Sequence, residues 1–233
     1  MLNVVITQSN YIPWKGYFDA IAIADYFVIF DEMQYTRRDW RNRNKIKTAQ
    51  GLQWLTVPVE VKGKFFQKIS DTCIAEKDWA EKHFRSIQHA YAKSPCFQEM
   101  KPMVHEWYNE AAKKTTITEV NMVFLKGIAH WLALPTVFLQ SKDFDLMEDK
   151  TERLVHICKE LKATDYYTGG AAKAYMNEEA FADENISVHY FDYSGYPEYP
   201  QLHGAFEHGV TILDMLFNLG SNVGEYMKFK LEK

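Results

Sequence analysis

The stretch "NVVITQSNYIPWKGYFDAIAIADYFVIFDEMQY", residues 3–35, decides the fold. "NVVITQ" (3–8) is a short β-branched run that reads as a strand buried on both faces. "SNYIP" breaks it, and from Trp14 onward "WKGYFDAIAIA" carries apolar residues at helical spacing, with Pro13 placed for a helix's first turn. "DYFVIFDEMQY" (25–35) then reads as a second buried strand. Strand, turn, helix and strand within about thirty residues make a βαβ unit, which requires the two strands to lie parallel.

Working outward, "LQWLTVPVEV" (52–61) reads as another strand, and "FFQKISDTCI" as a strand or strand edge after the turn at Gly63. Helical patterns follow at 77–92, about 98–113 and 117–133, the last opened by a Thr116–Glu119 capping box. "TVFLQSKDF" (136–144) returns to strand, and "DKTERLVHICKELKA" (149–163) is an amphipathic helix. "DYYTGGAA" (165–172) is a strand ending in a Gly-Gly turn, 174–185 a short helix, 186–193 a last strand, and 210–220 a last helix that Gly220 terminates. This order predicts an α/β fold: a three-layer sandwich with a mostly parallel central sheet. One domain is expected over residues 1–233, carrying a helical subdomain at about 77–133.

With 47% hydrophobic residues the chain can bury a sizeable core. Its net charge of −4 gives no general reason to bind nucleic acid or anionic membrane, so any affinity for anions has to come from local clustering. Three cysteines without a CxxC pair fit a reducing cytoplasm. The amino-terminal residues lack the pattern of a signal peptide, and no uncharged apolar run reaches the ~18 residues of a membrane helix. The histidines have no zinc spacing, so no metal is assigned. Neither a dinucleotide glycine fingerprint nor a Walker loop is present.

Ligands of open parallel sheets bind beyond the carboxyl ends of the strands. Those ends carry Gln8, Asn10 and Tyr11; Asp31, Gln34 and Tyr35; Thr56 and Pro58; Gln140, Lys142 and Asp143; and Thr168, Gly169 and Gly170. Directly after the second strand, "TRRDWRNRNKIKT" (36–48) packs Arg37, Arg38, Arg41, Arg43, Lys45 and Lys47 around Trp40, Asn42 and Asn44. It reads either as a solvated loop or as a site for an anionic ligand such as a phosphate. Asp31 follows "FVIF", where burial raises a carboxyl pKa and makes it a candidate proton acceptor; a strand-end cap is the structural alternative. His203, in a late loop beside Gln201, is the candidate acid or base among the histidines, with a structural role as its alternative.

The first block as far as residue 48, with "LTVPV", "YYTGGAAKAYM" and "YPQLHGAF", resembles the WbqC-like protein family over nearly the whole chain. Family-like positions include Gln8, Tyr11, Pro13, Trp14, Gly16, Tyr17, Asp31, Gln34, Tyr35, Trp40, Asn42, Arg43, Lys47, Gly169, Tyr175 and Gln201; "QSNY" departs from the family pattern with Ser where Pro is common. The resemblance implies a role in bacterial surface-polysaccharide (O-antigen or capsule) synthesis, with acyl or aminoacyl transfer to a nucleotide-linked amino sugar. A looser resemblance is to the Rossmann-like nucleotidyltransferase fold, whose H-x-G-H at a helix start is replaced here by Trp14 and Tyr17 around Gly16. Neither residue supplies a cationic imidazole to a transferring phosphate.

On this reading Arg38, Arg43 and Lys47 bind the diphosphate of a UDP- or dTDP-sugar, and Tyr11, Trp14 and Tyr17 pack its sugar or base. Asn10, Gln34, Asn42, Gly169, Gly170, Tyr175 and Gln201 complete the expected binding set, and Asp31 or His203 takes the proton from the attacking amine. No tightly bound cofactor is expected. An acyl-CoA, an aminoacyl-adenylate or a charged tRNA is chemically adequate as donor, and DNA is not an expected partner. The competing hypothesis is a non-catalytic sugar-nucleotide or partner-binding protein, and a third is retained nucleotidyl transfer.

Overall fold

Val4 and Ile6 point to one side of the first strand and Val5 to the other, and both sides are buried, so this strand has to lie in the middle of a sheet covered on both faces. The computed structural model, which describes residues 1–228, places it there. Strands β1 (Asn3–Thr7), β2 (Tyr26–Ile29), β5 (Val137–Gln140), β6 (Asp165–Gly169) and β7 (Ser187–Phe191) form a five-stranded sheet in the order β5-β2-β1-β6-β7. Every pairing in it is parallel.

Helix α1 (Lys15–Ile23) packs Phe18 and Ile21 with Val5, Phe27 and Ile29 on one face. Helices α5 (Lys150–Glu160) and α6 (Glu178–Ala182) pack Val155, Ile157, Cys158 and Phe181 with Val4, Ile6, Val28 and Tyr166 on the other. The expected α/β sandwich is therefore present. Helices α2 (Trp79–Tyr91), α3 (Phe97–Ala111), α4 (Ile117–Trp131) and α7 (Leu213–Leu219) extend the core on the α1 side. The Thr116–Glu119 capping box opens α4, and Gly220, at φ +53°, ends α7.

Two expected elements take a different form. The basic segment is half strand: β3 (Arg43–Thr48) pairs antiparallel with β4 (Gly51–Thr56) in a separate two-stranded sheet. Only Ala49 and Gln50 separate them, a connection too short for a parallel crossover, and Gly51 at φ +106° makes the turn. Thr56 and Pro58 thus leave the main sheet's rim. "FFQKISDTCI" contributes only isolated bridges, Gln34 to Lys68, Val59 to Ile74 and Cys73 to Thr116.

The chain runs outward from β1 to β2 on one side and returns through β5 and α5 to β6 on the other. The topological switch point, where ligands of such sheets bind, lies beyond the carboxyl ends of β1 and β6.

Candidate functional site

At the end of β1 the chain is held by a buried polar knot. Asp31 Oδ1 accepts from the Ser9 amide at 2.8 Å, and Oδ2 accepts from Ser9 Oγ and Thr118 Oγ1, both at 2.6 Å. Asn121 Nδ2 donates to Ser9 Oγ at 2.8 Å and to the Arg41 carbonyl at 2.9 Å. Asp31 is only 3% exposed, and burial pushes its pKa up against the pull of these hydrogen bonds and of the Arg41 charge. The upward shift expected from "FVIF" is there, but both oxygens are engaged with protein donors. The carboxylate ties β1, β2 and α4 together and does not line the neighbouring cavity.

The cationic group that reaches this tip is Arg41. Its guanidinium donates to the Ser9 carbonyl at 3.4 Å, to Gln8 Oε1 at 3.2 Å and to Asn10 Oδ1, and pairs with Asp39 at 3.6 Å. Tyr17 OH donates to the Gln8 carbonyl at 2.8 Å, so the buried tyrosine fixes the turn instead of packing a ligand. Beside Asn10 opens a cavity of about 210 Å³ lined by Asn10, Pro13, Trp14, Trp40, Asn44 and Gly209. Asn44 is held to the Tyr11 and Ile12 carbonyls at 3.2 and 2.8 Å.

The Trp14 indole folds back over Gly16, where a Cβ would come within 2.4 Å of the ring. The glycine therefore makes room for the tryptophan that walls the cavity. At its mouth the lining Trp40 meets Trp54, with centroids 5.4 Å apart and exposures of 43% and 42%. Arg43 lies over Trp54 at 4.1 Å, and Lys45 Nζ is 5.9 and 5.5 Å from the two rings. Tryptophan faces bordered by cations, at the mouth of a cavity, suit a flat or sugar-like ring carrying negative charge.

Other expected binding residues lie elsewhere. Tyr11 is fully buried, its hydroxyl 2.8 Å from both His83 Nδ1 and Tyr108 OH, because an aromatic shell of Trp79 and Phe124 surrounds it. His83 is pushed down to about 4 by burial and is neutral there. Lys47 is buried and donates to Gln201 Oε1 at 2.6 Å and to the Ala205 carbonyl. Gln201 in turn donates to Asp214 at 2.7 Å, beside Tyr199 and Tyr91 hydroxyls at 2.8 and 3.0 Å. Lys47 and Gln201 thus belong to a satisfied interior network around Asp214, with no free face for a diphosphate.

His203, at φ +69°, sits 2.9 Å from the Ala90 carbonyl near the end of α2 and does not line the cavity. Asn42 is buried, donating to the Val57 carbonyl at 2.8 Å, and Gln34 donates to the Phe65 carbonyl at 2.8 Å. Arg38 is exposed, and its carbonyl accepts from Arg43. Gly169 and Gly170 border open space at the β6 tip, and Tyr175 is largely exposed beyond them; none of the three lines the cavity.

Two titratable groups adjoin lining residues in the chain, Lys15 after Trp14 and His208 before Gly209. Lys15, 3% exposed, lies 4.9, 5.3 and 5.4 Å from the centroids of Tyr196, Tyr199 and Phe206, and burial lowers its pKa to about 8. His208, next to cavity-lining Gly209, is exposed; partial burial and the Lys15 charge hold its pKa below the usual histidine value. A larger, open depression of about 680 Å³ is lined by Glu178, Glu179, Ala182, Asn185 and the start of β7. It faces the amino end of that strand and carries two carboxylates and no aromatic ring, which disfavours it as an anion site. Among the described residues no group of three or more His, Cys, Asp or Glu side chains is placed to hold a metal ion, and no helix is long and apolar enough to cross a membrane.

The model of the WbqC-like protein family matches residues 8–226. An uncharacterized protein of Mycobacterium tuberculosis, Rv1507c, is 47% identical over 229 residues, covering 98% of this chain and 99% of that protein.

Proposed function

The chain belongs to the WbqC-like protein family, and from that premise and the cavity described above we propose that it binds a nucleotide-linked amino sugar at the β1 switch point and transfers an acyl or aminoacyl group to its amine. The setting is bacterial O-antigen or capsule synthesis, in the cytoplasm.

The observation that carries this reading is the cavity walled by Trp14 and Trp40 at the β1 tip, with Arg43 and Lys45 lying against the tryptophan faces at its mouth. A cavity of about 210 Å³ is smaller than the ~300–1,000 Å³ of pockets that enclose a drug-sized ligand, and suits one ring. The sugar enters it. The UDP or dTDP moiety lies outside, its phosphates opposite Arg43 and Lys45 and its base against the Trp40–Trp54 pair, while Arg41, engaged by Gln8, Ser9, Asn10 and Asp39, holds the β1 tip. Asn10 orients the sugar's polar groups.

The amine nitrogen attacks the donor's carbonyl carbon and a C–N bond forms. The C–S bond of an acyl-CoA, or the C–O bond of an aminoacyl donor such as a charged tRNA, breaks, and the thiol or hydroxyl departs. His208, neutral near pH 7 because its pKa is lowered, accepts the proton the amine loses. Asp31 acts as a positioning residue through Ser9. No tightly held cofactor takes part.

A thermal-shift series with UDP- and dTDP-amino sugars tests binding, since a ligand at a hundred times its Kd adds ~2.7 kcal/mol. Incubation with acetyl-CoA, or with a charged tRNA, followed by mass spectrometry of the sugar tests transfer. Binding without any mass shift favours a second reading, a non-catalytic sugar-nucleotide protein. The closed packing of Trp14 over Gly16, where catalytic histidines would stand, supports that alternative. No binding and no transfer refutes both.

A further inference from the structure

We propose that the turn carrying Phe65 and Phe66 is a membrane-docking tip that inserts into the interface of a bilayer containing anionic lipid. The two rings stand 5.0 Å apart, edge to face, and are 73% and 84% exposed. Two neighbouring phenyl groups left this open cost solubility, and exposed apolar clusters of this kind mark interaction sites.

The turn is held rigidly. Gly63, at φ +75°, allows the reversal. Gln34 Nε2 donates to the Phe65 carbonyl and Gln67 Nε2 to the Glu60 carbonyl, both at 2.8 Å, and Arg37 donates to the Val61 carbonyl at 3.0 Å. The Tyr35 amide donates to the Gln67 carbonyl at 2.9 Å. The exposed rings thus sit on a hydrogen-bonded turn anchored through Gln34 and Tyr35 just beyond the carboxyl end of β2.

Charge selects the occupant. Lys62, Lys64 and Lys68 flank the phenyl pair in the chain and are exposed, and exposed Arg37 reaches the same turn through the Val61 carbonyl. Glu60 and Glu32 pair with Lys64 and Lys68 at 2.5 Å and Asp71 lies near Lys68, while Lys62 has no ion pair among the described residues and Arg37 is held by a backbone carbonyl, so these two supply the positive charge at the tip. An exposed aromatic pair flanked by cations inserts into a fluid interface without a matching pocket, whereas a protein partner would need one. Aromatic insertion and attraction to acidic headgroups are the two signals that together hold a peripheral protein on a bilayer. The inference stands apart from the sugar-transfer reading, since it uses none of the cavity residues.

The test is flotation of the full chain with vesicles of equal parts phosphatidylglycerol and phosphatidylcholine at low salt, with phosphatidylcholine alone as comparison. The protein should float with the anionic vesicles, and less so as salt rises. Phe65→Ser/Phe66→Ser should lose on the order of a hundredfold in partition, and Lys62→Gln about fivefold. Both changes lie on exposed side chains, so circular dichroism and melting should be unchanged; if the double variant misfolds, the Lys62→Gln and salt arms decide. The proposal is overturned if the wild type stays with the soluble fraction, or if the double variant floats equally well. It is also overturned if the only effect of the double substitution is to abolish lipid-independent self-association, which would make the tip a contact between copies of this chain.

Discussion

Replacing Asp31 separates an anchoring role from a catalytic one. In Asp31→Ala, the Ser9 amide and the Ser9 and Thr118 hydroxyls lose their acceptor in a region closed to water. Hydrogen bonds to charged groups contribute about 1.5–3 kcal/mol each, but burial of the carboxylate offsets part of that, and the hydroxyls can turn to other acceptors. A net loss of ~3–5 kcal/mol is expected. Asp31→Asn keeps one oxygen for the Ser9 amide and offers an NH2 to two hydroxyls that can rotate to accept, so ~1–2 kcal/mol is expected. For a chain of this size each kcal/mol moves Tm by about 2–4 °C. Thermal melts of both variants, followed by titration with a UDP-sugar, measure this. Binding should survive in Asp31→Asn and fall with stability in Asp31→Ala. An Asp31→Ala protein as stable as the wild type would refute the anchoring account. So would an Asp31→Asn protein with unaltered stability and binding but no turnover, which would return Asp31 to the chemistry.

Three other outcomes follow from the same geometry. Gly16→Ala puts a Cβ 2.4 Å from the Trp14 ring, so the indole must leave its place; a Tm loss corresponding to ~1–3 kcal/mol and weaker ligand binding are expected, read by melting and tryptophan fluorescence. Lys15 titrates near 8 in the fold and at the ordinary 10.5 when unfolded, so the unfolded chain binds more protons between those values and stability should rise with pH from about 8 towards 10. Above pH 10 the buried tyrosines, whose pKa values are raised, oppose that rise, and Lys15→Met should lack it in denaturant titrations at pH 7.5 and 9.5. Replacing His208 with Gln should lower the rate of acyl transfer about a hundredfold or more while leaving sugar-nucleotide affinity nearly unchanged, as steady-state kinetics and titration would read.

The sheet was legible because its strands are buried on both faces and read as continuous apolar runs: "NVVITQ" (3–8) is a strand over Asn3–Thr7, whereas of "DYFVIFDEMQY" (25–35) only Tyr26–Ile29 joins the sheet and the more polar remainder leaves it as loop. Helix α4 was legible because its capping box is a local contact that needs no partner. The hairpin was not, because composition concealed a pattern. Arg41, Arg43, Lys45 and Lys47 recur every second residue, which is strand spacing, and read as a charge run they suggested a loop.

Which cation faces the site depended on tertiary packing. Lys47 turned inward to Gln201, while Arg41, in the turn before β3, reached the β1 tip. Polar rims and polar cores use the same residue types, so Tyr11 and Gln201 could not be separated from true cavity residues by sequence alone. Ser9, Thr118 and Asn121 carried no signal, since their roles arise from side chains brought together from distant parts of the chain. Trp54 was visible within its strand, but its pairing with Trp40 was set by the hairpin register.

The central claim is that the mouth formed by the β1 tip and the hairpin is where an anionic sugar nucleotide binds. Hydrogen–deuterium exchange with and without a saturating UDP-sugar, on the wild type and on Trp40→Ala, tests it most directly. Protection should appear over residues 8–14 and 40–45, and Trp40→Ala should require at least about tenfold more ligand to reach it. Protection confined to residues 178–188, or identical titrations for the two proteins, would contradict the claim.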